Sequence, residues 1–93
     1  MTPLYDVIEV QVLPGFRLSV VFADGLRGTV DLAQRLHGPV FGPLRDETLF
    51  AEVHVEFGTV VWPGGADLAP DRMYDEIKRS GCWVVGLSSE RAP

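Results

Sequence analysis

Hydrophobic and polar residues alternate with a period of two through most of the first two thirds of the chain. Between Tyr5 and Leu13, Ile8, Val10 and Val12 fall on one side and Glu9 and Gln11 on the other, the pattern of a half-buried strand. Pro14-Gly15 then predicts a tight reversal, because proline presets the first turn position and glycine accepts a positive φ at the second. Phe16, Leu18, Val20 and Phe22 share the face of a second strand, opposed by Arg17 and Ser19. Asp24-Gly25 predicts a two-residue hairpin with positive φ at both positions. Leu26 to Val30 returns as a third strand, with Gly28 inward at a bulge or a close neighbour.

The period changes at Asp31, which is placed to cap a short helix over Leu32 to Leu36, stopped by His37-Gly38-Pro39. A loop from Val40 to Arg45 follows, and Asp46 caps one further turn through Phe50. Val53, Val55 and Phe57 then alternate with Glu52, His54 and Glu56 as a fourth strand with one wet face. Gly58 turns the chain, Thr59 to Trp62 is a fifth strand, and Pro63-Gly64-Gly65 breaks it. Pro70 opens the clearest helix, with Asp71 in its first turn, Lys78 and Arg79 in its last, and Gly81 beyond. Met73, Tyr74 and Ile77 are its apolar stripe. The segment Cys82 to Pro93 holds Trp83, Val84, Val85 and Leu87, a sixth strand or an apolar segment that docks on a partner. The assembled expectation is an α+β fold: an antiparallel β-meander of about five or six strands with short helices packed on one face. Residues 1–81 form the single domain and 82–93 its C-terminal tail.

Composition narrows the partners. With 93 residues, 46% of them hydrophobic and 23% charged, one modest core is feasible. A net charge of −5 argues against a basic groove for nucleic acid and against attraction to anionic membranes. Cys82 is the lone cysteine, so no intrachain disulfide is expected. Met1 to Asp6 lacks a basic start followed by an apolar run, and no stretch approaches the ~20 apolar residues of a membrane helix. The chain reads as cytoplasmic.

One series of motifs carries a family resemblance. Phe22-Ala23-Asp24-Gly25, Val30-Asp31-Leu32, Phe41 to Asp46, Phe50, Val61 to Leu68, Pro70 and Tyr74 occur in that order. This resembles the bacterial family called domain of unknown function 2442, over roughly residues 5 to 79. The Trp-Pro-x-Gly-Ala-Asp element is its most specific part; Gly64 stands where many relatives carry Asn, a departure within turn chemistry. The resemblance implies a small α+β fold built on a meander, with no assigned activity or catalytic residues. It also implies small stand-alone bacterial proteins, some beside a second small protein in arrangements like toxin–antitoxin pairs.

Few residues carry chemistry on their own. In the Trp62 to Leu68 segment, Trp62 is either an aromatic anchor with Asp67 as a polar contact, or core filling at a strand-to-helix turn. Period-two spacing puts Glu52, His54 and Glu56 on one side, compatible with a weak metal site or a solvated sheet face. Asp71 and Asp75 read as an exposed helix face, with Arg79 in pairing range of Asp75. Cys82 reads as a small packing hydrophobe. No catalytic residue, metal ligand or cofactor is assigned. The expectation is a protein-interaction module that engages a protein partner or a second copy, with Trp83, Val84, Val85 and Leu87 as contacts and the Trp62 to Asp67 loop second. The alternative is a small ligand-binding protein or enzyme with a pocket near Trp62 and Asp67.

Overall fold

The computed structural model describes residues 5–86. Within them lie strands β1 (Val7–Leu13), β2 (Arg17–Phe22), β3 (Arg27–Asp31), β4 (His54–Glu56), β5 (Thr59–Val61), β6 (Asp67–Leu68) and β7 (Cys82–Val84). Helices α1 (Gly38–Phe41), α2 (Glu47–Phe50) and α3 (Pro70–Ser80) complete the set, with a 3-10 turn over Gly42–Arg45. The fold is α+β, as expected, and its strands divide between two sheets ordered β1-β2-β3-β7 and β4-β5-β6.

The larger sheet starts as the meander that the alternation predicts. Cross-strand partners share a face, so the pairs Val10↔Val20 and Val12↔Leu18 put β1 and β2 on one inner surface. Leu18, Val20, Phe22 and Val30 are fully buried there. The β2–β3 reversal differs from the expected two-residue hairpin. Gly25 N donates to Phe22 O, only Gly25 has positive φ, and Phe22 N donates to Leu26 O, so the loop spans three residues. Asp24 Oδ1 accepts from Leu26 N and tightens it.

Leu32 to Leu36 is not a helix. Leu32 N donates across to Phe16 O and Asp31 Oδ1 accepts from Ala33 N, which makes a turn. Arg35 N then donates to Leu32 O and His37 N to Arg35 O, spans of three and two residues that close successive turns without the four-residue repeat of a helix. Gly38 and Pro39 open α1 where they were expected to stop a helix, and the supposed loop after them is helical through Arg45. Proline suits a helix's first turn, because its missing N–H has no partner there anyway. Asp46 does cap α2, its side chain accepting from Thr48 N.

Helix α3 buries Met73 and Ile77 and ends on Gly81 at φ +88, whose N–H donates to Ile77 O. It crosses β3 at Gly28, where a Cβ would stand 2.5 Å from an Ile77 methyl; only glycine permits that approach. The chain then returns as β7, parallel to β3 through Thr29↔Cys82, Val30↔Trp83 and Asp31↔Val84. A parallel neighbour needs a crossover, and α3 lies within it.

Candidate interaction surface

β1 is an edge of the larger sheet. Its free side can be read from the hydrogen-bond alternation of antiparallel pairs. Phe22 N donates to Leu26 O and Leu32 N donates to Phe16 O, so even-numbered β2 residues direct their backbone toward β3. Arg17, Ser19 and Val21 therefore serve β1, opposite Leu13, Gln11 and Glu9. Val10 and Val12, of the opposite parity, aim their N–H and C=O groups away from the sheet. Among the described residues, no backbone partner beyond β2 occurs from Ile8 to Leu13. The register shifts between Val7 and Glu9, which leaves Ile8 as the extra residue of a bulge, 59% exposed. Val12 is 43% exposed.

A second apolar element stands at the same end of β1. Glu56↔Thr59 closes the β4–β5 hairpin over two residues, Phe57 at φ +51 and Gly58 at φ +77. Positive φ at both central positions is the type I′ turn, which asparagine-glycine fills without strain. Here a phenylalanine holds the first position, and it is 100% exposed. It was expected on the inward face with Val53 and Val55; the two-residue turn takes it off the strand. Gly58 O accepts from Val7 N at 3.0 Å, which latches the turn to β1.

At the other end of β1, a groove of about 500 Å³ opens between Val12, the Pro14-Gly15-Phe16 turn, and Glu47 and Phe50 of α2. Phe16 also has positive φ, at +60, and its ring meets Phe50 edge-on at 5.3 Å. Phe50 stacks obliquely on Trp62, Trp62 meets Phe41, and the Arg35 guanidinium lies 4.4 Å over Phe41. The groove floor is thus backed by a continuous aromatic series.

Trp62 is 3% exposed and its indole N–H donates to Phe50 O at 2.9 Å. Asp67 is exposed in β6 opposite Val61, and neither residue lines this groove. Trp83 and Val85 are in the core and Val84 is half-buried beside Asp31, with Val85 N donating to Asp31 O. Of the alternatives for the C-terminal segment, Cys82–Val84 takes the strand. Trp83 Nε1 is buried without a hydrogen-bond partner among the described residues, while Arg72 lies 5.9 Å over the ring. Leu87 lies outside the described residues.

Hydrogen bonds shift the titration of Asp24, Tyr74 and His54. The Tyr74 hydroxyl donates to Asp24, tying α3 to the β2–β3 turn. That bond, with Leu26 N–H, holds the Asp24 carboxyl below the usual range and pushes the Tyr74 phenol up. His54 sits between Glu52 O, at 3.1 Å, and the Glu56 carboxylate, at 3.0 Å, which together raise its pKa. Among the described residues no three His, Cys, Asp or Glu side chains gather as metal ligands. Glu76 pairs with both Arg72 and Arg79, so the expected Asp75–Arg79 pair gives way to an i,i+3 one. Cys82 is exposed, not packed, because its strand parity turns it from the core that Trp83 enters.

No helix among the described residues is long and apolar enough to cross a membrane. A family model described as "protein of unknown function (DUF2442)" matches residues 7–79, so the chain belongs to that family. No curated protein and no solved structure matches the chain.

Proposed function

We propose that this member of the DUF2442 family is a protein-interaction module that accepts an extended segment along β1 by strand addition. The reading rests on one observation above all: Phe57 combines unfavourable positive-φ backbone with complete exposure of its ring. A non-glycine residue in the left-handed region costs about 1–2 kcal/mol, and an exposed phenylalanine recovers none of it in the free chain. A partner that covers the ring would. Ile8 and Val12, exposed on an edge whose backbone groups at Val10 and Val12 point outward, supply a strand-shaped acceptor beside it. A second small protein, as in a toxin–antitoxin-like pair, and a second copy of this chain are both occupants of this kind. Trp62 and Asp67 do not favour the ligand-pocket alternative, since the indole is committed to the core.

The test is amide hydrogen exchange on the chain alone and with whatever protein co-purifies with it from its host, itself included. Slowed exchange at the Val10 and Val12 amides, together with loss of association in Phe57→Asn, is the expected result. Association that leaves both amides unprotected moves the interface elsewhere, and a chain that associates with nothing removes the reading.

A further inference from the structure

We infer that the segment received by β1 is β1 of a second copy, paired antiparallel about a two-fold axis at Gln11; this rests on the strand-addition reading above. The outward backbone groups decide the register. A two-fold at Gln11 sets Val10 opposite the second copy's Val12, and Val12 opposite its Val10. Each of these residues then exchanges N–H and C=O with its opposite, forming two hydrogen-bonded pairs and using the free groups of both residues. Centring the axis on Val10 instead would bring Val12 against Ile8, whose place in the bulge takes its backbone out of the regular ladder.

The side chains agree with that register. Val10 and Val12 lie on the inner face with Val20 and Leu18, so they meet their counterparts there and the half-exposed Val12 becomes covered. Gln11 meets the second copy's Gln11 on the outer face, where two amides can bond to each other. Glu9 falls opposite Leu13, so no carboxylate faces its own copy. The two ends of β1 are complementary as well. Ile8 and the Phe57 turn protrude at one end, and the groove bordered by Pro14, Phe16 and Phe50 opens at the other. A two-fold across Gln11 brings the protruding end of each copy to the groove end of its counterpart, as an isologous interface requires.

The experiment uses the full chain carrying Cys82→Ser, so that only introduced thiols react. Facing residues of a non-hydrogen-bonded antiparallel pair have Cα atoms about 4.5 Å apart, within disulfide reach. Gln11→Cys is therefore expected to oxidise rapidly to a covalent dimer. Leu13→Cys lies four residues from its own counterpart, about 13 Å along the strand, and is expected to stay monomeric. Sedimentation of the unmodified chain should show mass doubling with concentration, and Val12→Pro, which deletes an outward donor, should weaken the dimer by about tenfold or more. A chain that stays monomeric through millimolar concentration, or cross-links equally at 11 and 13, overturns the two-fold pairing. The strand-addition reading is judged separately: it survives a monomeric chain if another protein protects the Val10 and Val12 amides, and falls if none does.

Discussion

Gly58 lies so close to Asp6 that a Cβ on the glycine would stand 2.4 Å from the aspartate's Cγ. The same glycine has φ +77 and accepts the Val7 N–H, so the β4–β5 turn reaches β1 only because position 58 has no side chain. Gly58→Ala is expected to cost about 2–4 kcal/mol, from left-handed backbone plus the displaced Asp6. Urea unfolding measures the loss, and the Val7 amide should exchange faster than in the parent. A cost below about 0.5 kcal/mol would mean the turn is not latched to β1.

Phe57 makes the opposite prediction. Asparagine tolerates the left-handed region and is favoured at this turn position, while the phenylalanine ring makes up for its strain with no buried area. Phe57→Asn should therefore stabilise the isolated chain by about 1 kcal/mol and at the same time abolish association. Equilibrium unfolding at a concentration where the chain is monomeric gives the first quantity and sedimentation the second. Destabilisation by the substitution would show that the ring packs in the free chain and would remove the main support for its binding role.

These two residues also mark where the sequence stops being legible. Strands β1 to β3 and helix α3 can be read from residue order because their periodicity and their Pro and Gly punctuation are local. Phe57 could not be placed this way: its alternation with Val53 and Val55 fits one more inward position, and only the register Glu56↔Thr59 turns it out. The cue that would have revealed it is Phe-Gly standing where a two-residue hairpin takes Asn-Gly. Strand β6 pairs with the nearby β5 but is only two residues long, too short for a periodic trace, while the parallel docking of the three-residue β7 on β3 is set by a partner distant in the chain. Of the residues singled out in advance, Trp62, Trp83 and Val85 are apolar because the core needs them, and apolarity alone does not separate a core residue from a contact residue.

The Tyr74–Asp24 bond joins α3 to a turn 50 residues away in sequence. It is the first cause of the lowered Asp24 pKa, so Tyr74→Phe should return that carboxyl toward the ordinary aspartate range. The sign follows from linkage. A depressed carboxylate contributes stability that is present above its unfolded pKa and is lost as pH falls through the folded value. Wild type should thus exceed Tyr74→Phe in stability at neutral pH, and the difference should shrink on acidification. The carboxyl carbon of Asp24, titrated by NMR in both proteins, reports the shift directly; an unchanged midpoint would mean the bond is absent in solution. Phenylalanine keeps the ring that in the parent meets Phe22 edge-on at 5.1 Å, so the substitution removes the hydroxyl and leaves the packing group in place.

The direction of the β1 backbone can be tested without any partner. If Gln11 serves the β1–β2 ladder through Ser19 while Val12 faces outward, proline at the two neighbouring positions must have very different costs. Gln11→Pro removes a ladder donor and forces its ring toward β2, which should cost about 3 kcal/mol or more. Val12→Pro removes an N–H that has no partner among the described residues and trades away a side chain already 43% exposed, so about 1 kcal/mol is expected. Urea midpoints of the two variants, taken where the chain is monomeric, decide between the parities. Equal costs, or a larger cost at Val12, would reverse the assignment of outward groups and remove the two-fold register built on them. A small cost at Val12 together with lost self-association would separate the edge's role in binding from its role in the fold.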